Sequence, residues 1–167
     1  MNILTISGSV RKDSSNVRLL EALPSLCSNH SFLRYDIAKI PTFHPDAYDF
    51  ALDEKILKWK DVVKESDALI VCTPEYIHNI PAILKNALEW FAKFGELADK
   101  PVLAMTYTPQ PPRGEKAMQS LLWSLLALDA NVVTSLTLWH EDISFDNQGR
   151  PIGQEGLELL KEALGLL

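Results

Sequence analysis

Five short apolar runs, separated by segments of helical period, constrain this chain more than any other feature of its sequence. They are 2–7 (NILTIS), 32–37 (FLRYDI), 68–73 (ALIVCT), 101–107 (PVLAMTY) and 131–139 (NVVTSLTLW). Four are near-continuous in apolar or β-forming residues, as strands covered on both faces should be. The second alternates Phe32, Arg34 and Asp36 with Leu33, Tyr35 and Ile37, the pattern of a half-exposed edge strand. Between the runs lie helical patterns at 16–26 (Val17, Leu20, Leu23), 53–65 (Ile56, Trp59, Val63) and 81–94 (Leu84, Leu88, Phe91), the last with Pro81 at a first helical position. Segments 113–128 and 154–166 complete the set, and 38–52 is the longest irregular stretch. Strand and helix alternating in this way predict an α/β three-layer sandwich. A parallel crossover needs a helix-length return, which places helices on both faces of a five-stranded parallel sheet. Order 2-1-3-4-5 puts the alternating second strand at an edge.

At 167 residues the chain is read as one domain, 1–167, with no repeat and no interdomain linker. Its net charge of −6 argues against a broad nucleic-acid surface, so any anion site must be built locally from a few positioned donors. Cys27 and Cys72 have neither CxxC nor metal-ligand spacing. Cys72, inside ALIVCTP, reads as a small buried apolar residue. A chain without a disulfide framework is expected in a reducing cytoplasm. No signal-peptide pattern and no bilayer-length apolar stretch is seen, so no membrane partner is expected.

In sheets of this order ligands bind beyond the carboxyl ends of the strands, between the first and the third. The loops that follow those strands are the two most unusual in the sequence, GSVRKDSSN (8–16) and TPEYIHNIP (73–81). In the first, Gly8 lets backbone approach closely, Ser9, Ser14 and Asn16 supply short polar groups, and Arg11 adds a charged fork. Unpaired amides at the start of the following helix favour an anion, and a phosphomonoester suits this donor set. The competing reading is that Ser14 or Ser15 merely caps the helix while Arg11 points to solvent. Neither GxGxxG nor GxxxxGK[ST] is present, which excludes a dinucleotide pyrophosphate loop and a triphosphatase P-loop. In the second loop Pro74 and Pro81 stiffen a segment that offers backbone groups and the Tyr76 ring, suited to a flat heterocycle or simply to an ordinary proline-bounded connection.

GSVRKDSSN matches the pattern GSxRxxSxN, and TPEYIHNIPAILKNALEW (73–90) resembles PEYNxSxPGxLKNAxDW, the paired signatures of the NADPH-dependent FMN reductase family. The late turn FDNQGRP (145–151) is similar as well. The resemblance implies a flavodoxin-like FMN-binding domain that takes NADPH (or NADH) as co-substrate and reduces a small-molecule electron acceptor: a quinone, azo compound, metal oxyanion or free flavin. It implies that Ser9, Arg11, Ser14 and Asn16 hold the FMN phosphate, and that Pro74, Glu75, Tyr76 and Ile77 lie beside the isoalloxazine, largely through backbone groups. It also implies a homodimer or homotetramer, to which the large side chains Trp90, Phe91, Phe94, Trp123 and Leu126 are expected to contribute. No acid–base residue and no metal are assigned.

The chain departs from the family pattern at Ile77 (commonly Asn), Asn79 (Ser) and Ala82 (Gly). In TYTPQPPRGEKA (106–117) it carries prolines where the family is often glycine-rich. Pro109, Pro111 and Pro112 have no N–H to offer a flavin, which is expected to limit its retention. Two other readings stand beside this one. A flavodoxin-like electron carrier is disfavoured by Arg11, and a flavodoxin-like N-glycoside transferase would use Glu75 as its nucleophile. His140, in His140-Glu141-Asp142, reads as a solvated strand end and His78 as a surface residue.

Overall fold

The five apolar runs form β1 (Asn2–Ser7), β2 (Ser31–Tyr35), β3 (Ala68–Thr73), β4 (Pro101–Thr108) and β5 (Asn131–Trp139). They pair in parallel as β2-β1-β3-β4-β5. Five helices connect or follow them: α1 (Ser15–Leu26), α2 (Glu54–Glu65), α3 (Ala82–Glu89), α4 (Glu115–Leu126) and α5 (Gln154–Leu164). This computed structural model describes the backbone of residues 1–167 and every side chain except that of Asp49.

Alternation along the strands divides the core into two layers, because successive side chains point to opposite faces. Leu4, Ile6, Leu69, Val71, Val102 and Ala104 pack against α2, α3 and α4. Ile3, Ile70, Cys72, Leu103, Met105 and Tyr107 pack against α1 and α5. The central strands β1, β3 and β4 are covered on both sides and read as buried almost throughout. The second strand is an edge, as its alternation predicts, but it ends at Tyr35, not at 37. There the Asp36 carboxylate accepts the Ala38 amide at 3.1 Å and turns Ile37–Lys39 into a 3-10 segment. A second 3-10 segment, Pro45–Asp49, interrupts the irregular stretch 38–52.

The third helix is shorter than its periodicity suggests. After Glu89 the chain tightens into i−3 bonds, Phe91 N–H to Leu88 C=O and Ala92 N–H to Glu89 C=O, and leaves the helix. Trp90 and Phe91 are both buried, and the Trp90 indole donates to the Pro41 carbonyl at 3.0 Å. Of the large side chains expected on an outer face, only Phe94, Trp123 and Leu126 are exposed.

The FDNQGRP turn forms a ribbon of β6 (Ser144–Phe145) and β7 (Pro151–Ile152). The Asp146 carboxylate closes it by accepting the amides of Gln148 and Arg150 and the Arg150 Nε–H. Among the described residues, no helix is long and apolar enough to cross a membrane.

Candidate functional site

A cavity opens beyond the carboxyl ends of β1, β3 and β4, where the loops after these strands meet. The loop after β1 contributes Ser9, Arg11, Ser14, Ser15 and Asn16; the loop after β3 contributes Pro74, Glu75 and Tyr76. The end of β4 and its loop add Tyr107, Thr108, Pro109 and Arg113, and His140 closes the β5 side. Seven of the eight residues singled out from the sequence therefore share one cavity. Ile77 lies outside its lining, with its side chain 98% exposed.

Gly8 sets the first wall. A Cβ there would lie 2.3 Å from Thr73 Oγ1, so only glycine lets the start of the loop pass this close to β3. The Gly8 amide then donates to the Cys72 carbonyl at 2.9 Å. Ser7 Oγ accepts the Ser9 amide at 3.1 Å, and Ser9 Oγ accepts the Arg11 amide at 3.4 Å. Ser14 caps α1 by accepting the Val17 amide at 3.4 Å. Both cavity serines thus use their oxygens as local acceptors and keep their O–H groups to donate outward. The amides of Ser15 and Asn16, at the first turn of α1, have no partner among the described residues. Arg11 has no carboxylate within ion-pair distance among the described residues. The β1 side of the cavity is therefore a set of donors without an acceptor.

Asn16 differs from its neighbours. Its Nδ2 donates to the Tyr107 carbonyl at 3.0 Å, and its Oδ1 accepts the Cys72 thiol at 3.2 Å. The buried side chain brackets α1 to β3 and β4, and what it leaves for a ligand is its backbone N–H. Burial pushes the Cys72 thiol far above its ordinary range, so this cysteine acts as a buried donor and not as a nucleophile.

On the β3 side Glu75 does not face a ligand with a free carboxylate. Its Oε2 accepts the amides of Gly114 at 3.0 Å and of Lys116 and Ala117 at 3.1 Å, while Oε1 lies 3.3 Å from His78 Nδ1. The side chain is only 6% exposed. Burial alone would raise its pKa, but the amides of Ala117 and Gly114, the His78 contact and the Lys116 amide outweigh that and hold it below the usual carboxylate range. Glu75 caps α4 from across the cavity, an engagement that counts against its use as a glycosyl nucleophile.

The loop after β4 is pinned at one carbonyl: that of Arg113 accepts Thr108 Oγ1 at 2.7 Å and Trp139 Nε1 at 2.8 Å. Gly114 follows at φ +105°, where a Cβ would meet Thr106 Oγ1 at 2.8 Å. Of the three prolines expected beside a bound ring, only Pro109 lines the cavity. Tyr107 donates its hydroxyl to the Ile143 carbonyl, and burial first of all pushes its pKa up to about 12. His140 packs on the Tyr107 ring with centroids 4.9 Å apart, and burial lowers its pKa. It therefore belongs to the cavity wall as well as to a strand end. Sequence reading missed Ser15, Tyr107, Thr108, Arg113 and His140 as site residues. The available signal was positional, since ligands collect beyond the carboxyl ends of neighbouring strands.

Donors free of acceptors at one end, with Pro74, Tyr76 and Pro109 as flat groups in the rest of the lining, fit a phosphate joined to a planar ring system. Comparison with known proteins agrees. Residues 1–142 match the family model for NADPH-dependent FMN reductase. The chain is 27% identical over 172 residues to an NAD(P)H-dependent FMN reductase of Pseudomonas aeruginosa, covering 100% of this chain and 93% of that protein. It is 38% identical over 94 residues to a 2-hydroxy-1,4-benzoquinone reductase of a Burkholderia species, covering 56% of this chain and 51% of that one. Among solved structures, FerB, a flavoenzyme NAD(P)H:acceptor oxidoreductase from Paracoccus denitrificans, shares the fold with a TM-score of 0.81 at 24% identity, over 99% of this chain and 94% of that one. The chain belongs to the NADPH-dependent FMN reductase family.

Proposed function

We propose that residues 1–167 form a single FMN-binding domain that oxidises NADPH or NADH and reduces a small electron acceptor, with quinones the leading class. The observation that carries this reading is the acceptor-free donor set of Arg11, the Ser9 and Ser14 hydroxyls and the first amides of α1, facing one cavity with aromatic and proline walls. Arg11 and these donors would hold the FMN phosphate. Pro74, Glu75 and Tyr76 would border the ring, with Ile77 just outside. When bound, FMN supplies the two-electron redox chemistry, and the chain supplies orientation and electrostatics. Asn16 keeps the first turn of α1 aligned with β3 and β4, and Glu75 keeps the second loop against α4. No side chain in the cavity is assigned as an acid or base.

The test is direct. The purified protein, mixed with FMN, is expected to show a perturbed flavin spectrum and to oxidise NADPH with a benzoquinone as acceptor. A spectrum identical to that of free FMN, with no quinone-dependent NADPH oxidation, would overturn the proposal.

The same reading places the protein in the cytoplasm, in keeping with the free thiols of Cys27 and Cys72, and makes it a homodimer or homotetramer. Support for self-association comes from Phe94, Trp123 and Leu126, which project into solvent near or on helices of one sheet face. Light scattering is expected to give at least twice the chain mass of 18.7 kDa, and a monomer mass at micromolar concentration would remove this part of the proposal.

A further inference from the structure

A phosphate at the start of α1 accounts for one of the two arginines lining the cavity. The other, Arg113, stands on the β4 side with no carboxylate within ion-pair distance among the described residues. We infer that Arg113 is the cation that favours the reduced, negatively charged form of the bound flavin over the oxidised form, a reading that rests on FMN occupying this cavity.

Four observations converge on this residue. Its backbone is fixed: its carbonyl accepts from Thr108 Oγ1 and Trp139 Nε1, and its amide donates to the Gln110 carbonyl at 3.1 Å. The guanidinium is therefore launched from an immobilised point. Second, the loop offers almost no backbone donors. Pro109, Pro111 and Pro112 have none, and the amides of Arg113 and Gly114 are engaged by Gln110 and Glu75. The Arg113 side chain is the strongest donor this loop has left.

Third, the acid in the same lining is not its partner, because Glu75 already accepts three amides and faces His78. Fourth, the two other titratable groups that line this side of the cavity, Tyr107 and His140, supply no negative charge at neutral pH: Tyr107 is pushed up to about 12, and His140 is shifted toward its neutral form. The result is a cation without an ion-pair partner among the described residues, in the lining on the β4 side of the cavity.

The chemistry supplies the missing anion. With FMN bound, hydride transfer from NADPH, leaving NADP⁺, would add two electrons and one proton to the ring system. That would make its charge one unit more negative. A cation held nearby is attracted to that added charge and is nearly indifferent to the neutral oxidised ring.

The experiment measures FMN affinity in both oxidation states, together with the two-electron potential of the bound cofactor, in wild type, Arg113→Gln and Arg113→Lys. Because the loop is held through the Arg113 carbonyl, both variants are expected to fold. Arg113→Gln should bind oxidised FMN as wild type does but reduced FMN about tenfold more weakly, equivalent to a potential about 30 mV lower. Arg113→Lys should restore most of that difference. Equal weakening of both forms, or an unchanged potential in Arg113→Gln, would overturn the inference while leaving the FMN site intact. Failure of the wild type to take up FMN would remove both.

Discussion

The loops after β1 and after β3 are both rich in polar groups, and they use them in opposite directions. After β1, the Ser9 and Ser14 oxygens accept from the loop's own amides, while their hydroxyl hydrogens, the Arg11 guanidinium and the first amides of α1 are left without a partner among the described residues. After β3, the polar groups close on the protein itself. Glu75 accepts from α4, Tyr76 and Asn79 exchange backbone bonds at 2.9 and 3.0 Å, and Asn79 Oδ1 accepts from the Ile80 amide and the Ser120 hydroxyl. A high density of polar residues is therefore not by itself the mark of a ligand site. What distinguishes the two loops is whether each donor already has an acceptor inside the chain. One loop should fail by losing ligand and the other by losing stability.

The largest effect is expected at Glu75. Replacing it with Ala strands the amides of Gly114 and Ala117 at buried positions and removes three charge-assisted bonds at once, which should cost about 3 kcal/mol of unfolding free energy. Denaturant titration measures this. Glu75→Gln should recover part of the loss and also expose the charge term. The folded pKa of Glu75 lies below its ordinary 4.5, so its contribution is complete above that pH and disappears as pH falls through the lower folded value. Wild type should accordingly lose stability in acid more steeply than Glu75→Gln. A Glu75→Ala variant as stable as wild type would erase the contrast between the loops.

Arg11 should behave in the reverse manner. It makes no ion pair within the described residues, so Arg11→Ala should leave stability within about 0.5 kcal/mol of wild type. FMN affinity should fall by about one to two decades, the loss of one charge-assisted contact, while riboflavin, which lacks the phosphate, is nearly unaffected. Titrating both flavins against both proteins separates the outcomes. Equal losses for FMN and riboflavin would mean that Arg11 does not meet the phosphate.

These contrasts also explain how much the sequence could disclose. β3 was readable at its full extent because a buried strand needs an unbroken apolar run, and both edges of ALIVCT are marked by polar or turn residues. β5 was readable from its β-branched residues although, as the other edge of the sheet, it is only partly buried and not covered on both faces as its run suggests. The end of α3 was not readable, because Trp90 and Phe91 continue a helical period while the backbone has already tightened into i−3 bonds, with Trp90 bonded to Pro41 and both side chains buried. Ser9, Arg11 and Ser14 were legible as a group because short donors clustered beside a helix start have few other uses. The occupation of Asn16 and Glu75 was hidden, since their partners lie 91 and 39 or more residues away, at Tyr107 and at Gly114 onward. Arg113 and His140 were hidden for the same reason: only the sheet order brings the ends of β4 and β5 to the cavity.

The smallest effect sharpens the comparison at the tip of the second loop. Ile77 and His78 occupy the two central positions of the Tyr76–Asn79 turn, both left-handed, at φ 50° and 55°. That geometry suits the twist of a two-residue hairpin, which ordinarily recruits Asn and Gly for it. For a β-branched residue it is unfavourable, because Cβ crowds the following carbonyl at a cost of roughly 1–2 kcal/mol. The Ile77 side chain, almost wholly in solvent, has little packing within the chain to offset this. The turn is instead imposed from its flanks, by Glu75 on α4 and by Asn79 on Ser120. Ile77→Asn keeps the turn and relieves part of the strain, so it should raise unfolding free energy by about 0.5–1 kcal/mol. FMN affinity should stay the same, because Ile77 is not part of the cavity lining. Thermal and denaturant unfolding of the variant, with an FMN titration alongside, decide the matter. A loss of stability would show that Ile77 makes a contact worth more than its strain, and a loss of FMN affinity would bring the turn into the binding site.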